Sequence, residues 1–135
     1  MAENPKTRPW PLTGLAVLLF LFSLLAFVGS LFLWGEGFLL QFPAGVDLTF
    51  PITDILVNAP ASMIASIGLW KCKRYGYSAS QFVAGFYVYA SVEIFMHNIQ
   101  GDLPNTLAIL APQILAVLVA FGLVFYLWKI QDLFD

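Results

Sequence analysis

The chain has 135 residues, of which 60% are hydrophobic and only 10% are charged, and its formal net charge is −2. Soluble domains usually carry about 25% charged residues, so a water-soluble core could not hide this much apolar surface in so short a chain. The six cations form no cluster large enough to bind nucleic acid, and the single cysteine, Cys72, excludes an internal disulfide bond.

The first predicted element is a membrane-spanning helix over residues 11–34, which follows a short polar arm. Its apolar run is longer than the roughly 7–15 residues of a signal-peptide core, so we expect a retained anchor. The run has no acid, base or amide between Leu15 and Leu33. This composition predicts a role in packing and orientation.

Residues 35–51 form the longest predicted connection, because glycine and proline interrupt any long helix there. The segment is also rich in phenylalanine and leucine, which are unfavourable in free contact with water. We expect it to anchor in the membrane interface or to fold back onto the helix ends. A cap over a binding site is the functional alternative.

The second predicted span covers residues 49–70 and has a face of small and polar side chains. This face carries Asp54, Asn58, Ala61, Ala65 and Gly68. Small residues let helices approach closely in lipid, so the face predicts a helix–helix contact. Pro60 removes one backbone donor, which predicts a kink and leaves a carbonyl near Leu56 to find another partner.

The third predicted span covers residues 77–99 and follows a cationic turn at 71–75. One helical face carries Ser78, Phe82, Phe86, Tyr89, Glu93, His97 and Gln100. Glu93 and the only histidine, His97, are four residues apart and therefore one helical turn apart. A carboxylate in hydrocarbon costs roughly 2.5–3.5 kcal/mol on insertion scales, so this pair predicts protonation, pairing or a wet cavity.

The fourth predicted span covers residues 105–128, with Pro104 suited to its first turn and Gln113 inside it. With four spans, every cation falls on one side of the membrane, which the positive-inside rule places in the cytoplasm. All four tryptophans fall at predicted span ends, as expected for an aromatic belt. The sequence therefore predicts an all-α membrane protein, one domain of residues 1–135, forming an antiparallel four-helix transmembrane bundle with both termini cytoplasmic.

Polar residues of the second, third and fourth spans occupy overlapping depths in the outer half of this bundle. We predict that they form an outward-facing pocket for a small molecule, ion or proton. The candidate binding residues are Glu93, His97, Asp54, Asn58, Tyr89 and Gln113. Each also has a structural interpretation, as an interfacial residue, a helix cap or a helix–helix hydrogen-bonding partner.

Other chemistries are weaker hypotheses. Glu93, His97 and Asp54 suit a metal by ligand type, but a single histidine is few for zinc and the spacing is not that of ferritin-like sites. The chain has no phosphate-binding loop, no Gly-x-Ser-x-Gly and no cysteine pair. We therefore predict no cofactor, no metal and no catalytic residue, and an enzyme ranks third among the functions.

The segment LWKCKRYGYSASQF has an apolar span ending in Leu-Trp, a Lys/Arg turn and then Gly-Tyr. It resembles small uncharacterised prokaryotic four-span integral membrane proteins. The resemblance implies a multi-pass protein of the cell membrane and carries no function. Two functions stay open: a ligand-binding protein, with transport as one form, and an accessory subunit of a larger membrane complex. The expected partners are the lipid bilayer and other membrane subunits or further copies of the chain.

Overall fold

The computed structural model describes residues 7–36, 52–101 and 107–135, and no strand occurs among them. The chain is all-helical in these ranges, with four principal helices, as the sequence predicts. The predicted cap or anchor at 35–51 and the turn at Pro104 lie almost entirely outside the described residues.

The helices are numbered α1 to α4 in chain order. Helix α1 is Trp10–Glu36, α2 is Asp54–Trp70 and α3 is Arg74–Gln100. Helix α4 begins as Leu107–Phe121, passes through a wider π-helical turn at Gly122–Tyr126 and ends with Leu127–Lys129. A short 3-10 turn, Gln131–Leu133, follows it.

Within the described ranges, two segments are long and apolar enough to cross a membrane, Trp10–Leu31 and Leu110–Lys129. Helix α2 is apolar but shorter. Helix α3 has 27 residues and is long enough, but it does not reach the same apolarity. By length and composition alone, the structure therefore has two candidate spans, fewer than the four expected.

Neighbouring helices in the chain pack against one another, α1 on α2, α2 on α3 and α3 on α4. Fully buried side chains come from every helix and meet in one core, with Leu12 and Leu19 from α1, Leu69 from α2, Val83 from α3, and Leu123 and Leu127 from α4. The four helices therefore form one bundle around a shared apolar core.

Pro60 lies near the start of α2, and the helix continues past it. Proline has no amide hydrogen, so the carbonyl one turn earlier loses its normal donor. The turn before it, Asp54–Asn58, is π-helical, and the Ala59 amide donates to the Asp54 carbonyl five residues back. The Ala59 carbonyl also accepts a hydrogen bond from Ser23 of α1 at 2.7 Å. The widened turn and this inter-helix bond fix the position of the polar residues at the start of α2.

Helices α2 and α3 touch backbone to backbone where Gly68 faces Gly76. A Cβ atom added to Gly68 would lie 2.6 Å from the Gly76 nitrogen, closer than any side chain can approach. The connection needs only residues 71–73 because Cys72 takes the left-handed conformation, with φ 52°. Helix α3 therefore begins at Arg74, earlier than the predicted 77.

The α2–α3 turn also contacts Arg8, which precedes α1, and Asp135, which follows α4. The Arg8 guanidinium donates to the Trp70 carbonyl at 2.8 Å and lies 4.0 Å from the centre of the Trp70 ring. The Arg74 amide donates to the Asp135 carbonyl at 2.7 Å. We call this region, with Arg8, Lys71, Lys73 and Arg74, the basic end.

Candidate functional site

A cavity of about 520 Å³ lies between all four helices, away from the basic end. Its wall includes each of the six polar residues singled out from the sequence: Asp54 and Asn58 from α2, Tyr89, Glu93 and His97 from α3, and Gln113 from α4. Helix α1 contributes Phe22, Leu25, Ala26, Gly29 and Ser30 to the wall. The volume falls within the range of about 300–1,000 Å³ that small-molecule pockets occupy.

A chain of side-chain hydrogen bonds runs along the cavity from α1 through α2 to α3. Ser30 Oγ donates to Asp54 Oδ2 at 3.5 Å, and Asn58 Nδ2 donates to Asp54 Oδ1 at 2.9 Å. Ser62 Oγ donates to Asn58 Oδ1 at 3.1 Å and lies 2.8 Å from the Tyr87 hydroxyl. Five residues of three helices are therefore joined at one wall.

The number of protons on these groups determines which atom donates in each of these hydrogen bonds. A serine hydroxyl has one proton, and Ser62 uses it toward Asn58. The Tyr87 hydroxyl must then donate to Ser62. Asn58 turns its amide nitrogen toward Asp54, so the donors all point to one carboxylate, and both Asp54 oxygens act as acceptors.

Ser62 is the central member of this chain, and removing it should cost more stability than removing the Tyr87 hydroxyl. Ser62→Ala leaves both the Tyr87 hydroxyl and the Asn58 oxygen without their partner. Each unsatisfied buried group costs about 1–3 kcal/mol. Tyr87→Phe removes one donor and should cost about 0.5–1.5 kcal/mol. Thermal unfolding of the purified protein measures both changes, and the half-exposed Tyr75 offers a matched control in Tyr75→Phe. Equal losses for Ser62→Ala and Tyr75→Phe would contradict the network.

The opposite wall is set by a contact between α3 and α4. Ser91 of α3 is fully buried and donates to Gln113, at 3.3 Å from Oε1 and 3.4 Å from the main-chain oxygen. This bond fixes the Gln113 amide beside the cavity, next to Pro112. Because a glutamine side chain both donates and accepts, it retains capacity for a ligand.

Glu93 and His97 lie on the cavity side of α3, one turn apart, and both are partly buried. Tyr89 lies one turn further toward the start of α3 and is 66% exposed, so it forms a rim. No group of three histidine, cysteine, aspartate or glutamate residues within the described ranges is close enough to hold a metal ion. Asp54, Glu93 and His97 therefore share a cavity without converging on one point.

The described part of the cavity wall has acidic side chains that no lysine or arginine accompanies. Its described residues include two carboxylates, Asp54 and Glu93, and neither lysine nor arginine. Four of the chain's cations lie at the basic end instead. Taking 1.5 Å per residue, Asp54 is about 24 Å along α2 from Trp70. The cavity and the cations therefore occupy opposite halves of the bundle.

Ser30, Tyr87 and Ser91 are polar wall residues that the sequence did not single out, and Ser62 is a further member of the hydrogen-bonded chain. A signal for Ser62 was available, because it continues the four-residue spacing from Asp54 and Asn58. Tyr87 and Ser91 also lie four apart, on the buried stripe of α3 rather than on the stripe of Glu93 and His97. Which α3 stripe faces α2 depends on the Gly68–Gly76 contact, and a single-helix pattern cannot show that contact.

The chain gave no match in comparisons with protein-family models, with curated proteins or with solved structures. The geometry of the cavity and the character of the four helices are therefore the grounds for a functional proposal. The cavity combines a size suited to a small molecule with polar side chains from three helices.

Proposed function

We propose that the chain is a four-span protein of the cell membrane that binds a small molecule or ion in the outward-facing cavity, with transport as one form of this function. The observation that carries the proposal is the shared cavity. Six polar residues from three helices, Asp54, Asn58, Tyr89, Glu93, His97 and Gln113, line one space of about 520 Å³. Polar groups inside a membrane are costly and usually mark a binding site or a transport path.

Membrane insertion is supported by two long apolar helices and by the surface of the bundle. Large apolar side chains are exposed on every helix, including Val28 at 60%, Leu56 at 69% and Phe125 at 60%. Exposure of this kind is unfavourable in water and favourable against lipid tails. Helices α2 and α3 would complete the four spans, with the polar residues of α3 turned toward the cavity.

The basic end supports an orientation. Arg8 and Asp135 each contact the α2–α3 turn there, which supports the placement of both termini on one side. The positive-inside rule assigns that side to the cytoplasm. The cavity, in the other half of the bundle, then opens outward.

Cysteine labelling tests this orientation. In intact cells, a membrane-impermeant thiol reagent should label Gln41→Cys, introduced into a Cys72→Ser background, from outside. The native Cys72 should react only after the cells are permeabilised, because it lies in the turn at the basic end. Labelling of Cys72 in intact cells would contradict the orientation.

Gentle purification tests the binding function. The protein, extracted in a mild detergent, should retain a small molecule that intact-protein mass spectrometry detects at a fixed ratio to the chain. Protein denatured before desalting provides the control, because it should lose the added mass. A preparation with no retained molecule, stably bound to other membrane proteins, would instead support the accessory-subunit function.

One feature favours that second function. Helix α4 has an exposed apolar stripe with three- and four-residue spacing, formed by Ile114, Leu118, Phe121, Phe125 and Trp128. Phe121 and Phe125 stack with their ring centres 5.9 Å apart. A stripe of large rings suits packing against another helix as well as against lipid. Binding and assembly are compatible, since the stripe faces away from the cavity.

A further inference from the structure

We infer that the ligand of the cavity is a small organic cation with an apolar body. The inference rests on the proposed binding function and adds the chemical class of the ligand. Three independent properties of the cavity support it: the sign of its charge, the character of its wall and the separation of its acidic groups.

The first property is that the charged side chains of the described cavity wall include carboxylates and neither lysine nor arginine. Asp54 and Glu93 face the cavity from α2 and α3, and the described wall has no lysine or arginine to neutralise them. Asp54 accepts hydrogen bonds at both oxygens, from Ser30 and Asn58. A carboxylate offers about four acceptor sites, so Asp54 keeps acceptor capacity for a positively charged ligand. A positive ligand would supply the cationic partner that no lysine or arginine of the described wall provides.

The character of the wall comes second. Phe22, Phe86, Tyr87 and Tyr89 bring four aromatic rings to the cavity. Phe22 and Tyr87 are in edge-to-face contact, with ring centres 5.6 Å apart, so their positions are mutually fixed. The faces of aromatic rings attract cations and bind apolar groups equally well. Carboxylates and aromatic rings in one cavity are therefore complementary to an amine or quaternary ammonium group on an apolar body.

The separation of the acidic groups comes third. A bare divalent metal ion needs several ligands at about 2.0–2.6 Å from one point. The acidic and histidine side chains do not converge in that way within the described ranges. An organic cation needs only one ion-pairing contact and can fill the rest of a volume of about 520 Å³ with its body. The geometry therefore favours the organic ligand over a metal ion.

A pair of probes that differ only in charge tests the inference. Benzyltrimethylammonium and neopentylbenzene have the same shape, because a carbon atom replaces the charged nitrogen. The detergent-purified wild-type protein should bind the cation, measured by titration calorimetry and by a rise in unfolding temperature. Neopentylbenzene and the anion phenylmethanesulfonate should produce neither effect.

Two aspartate variants localise the binding. Asp54→Asn keeps the size of the side chain and should weaken binding of benzyltrimethylammonium more than about tenfold, because an ion-paired group is lost. Asp132→Asn is the matched control, because Asp132 is exposed in the turn after α4 and does not line the cavity. It should bind the cation as the wild type does.

The possible failures are distinguishable. Equal binding of the neutral probe, or preferred binding of the anion, would overturn the cationic class and leave a binding cavity. Absence of binding of both benzyltrimethylammonium and the primary amine phenethylammonium would also overturn it. Equal effects of Asp54→Asn and Asp132→Asn would place any cation binding outside the cavity. The binding function itself is judged separately, by the small molecule that the purified protein retains.

Discussion

Glu93→Gln should remove the small molecule retained by the purified protein while leaving the chain inserted and folded. Glutamine keeps the size and hydrogen-bonding capacity of glutamate but cannot ionise. Because Glu93 lines the cavity on α3, across from Asp54 on α2, its loss removes one of the two carboxylates of the wall. The measurement is the ratio of retained ligand to protein by mass spectrometry, with thermal unfolding as the test of folding.

His97→Gln should give the same loss of ligand, because His97 lies one turn from Glu93 in the same wall. If the two residues serve only as helix–helix hydrogen-bonding groups, each substitution should cost about 0.5–2 kcal/mol of stability and change nothing else. Val92→Ala, on the outer face of α3, offers a control for general effects on this helix. Full ligand retention in both Glu93→Gln and His97→Gln would reject their role in binding.

Gly68→Ala should be among the most destabilising substitutions of a small residue in the bundle. The new methyl group would overlap the Gly76 backbone, which cannot move aside as a flexible side chain can. Overpacking a tight core typically costs about 1–3 kcal/mol, and a backbone obstacle should place this case at or above the upper end. The cavity should suffer as well, because the same contact sets how α3 lies on α2.

Gly85→Ala is the matched control for this substitution. Gly85 is a helical glycine of α3 with open space around it, so a Cβ atom there meets nothing within 4 Å. Alanine is a better helix former than glycine by about 1 kcal/mol, so this variant should be neutral or slightly more stable. Thermal unfolding of both variants in one detergent gives the comparison. Similar unfolding temperatures would contradict the close approach of α2 and α3.

The sequence pattern predicts contacts within one helix better than it predicts which face of a helix packs against its neighbour. Asp54 and Asn58 lie four residues apart, and the structure joins them directly by a hydrogen bond. The face of small and polar residues on the second span also predicted a helix–helix contact, and Gly68 of that face lies against Gly76 of α3. The partner of Ser62 could not be predicted, because Tyr87 belongs to a stripe of α3 that only the packed helices bring against α2.

Helix boundaries depend on backbone conformation, which the pattern of residue types does not show. The sequence predicted a turn at 71–75, but not that Cys72 would take the left-handed conformation, which non-glycine residues rarely adopt, and so shorten the turn to 71–73. Pro60 predicted a kink in α2, and the structure has a π-helical turn, Asp54–Asn58, just before it. The structure accommodates Pro60 by a π-helical turn and by a hydrogen bond from Ser23 of α1. The second of these depends on a neighbouring helix, which the sequence of α2 does not show.

The accessibility of the cavity from outside is the most direct test of the account, since binding, orientation and charge all depend on it. Ala90 lines the cavity, whereas Val92 is exposed on another face of α3. In a Cys72→Ser background and in intact cells, Ala90→Cys should react with a membrane-impermeant cationic thiosulfonate faster than with its anionic analogue, and Val92→Cys should react with neither. An Ala90→Cys thiol that reacts only after permeabilisation, or no faster than Val92→Cys, would contradict an outward-facing, negatively charged cavity.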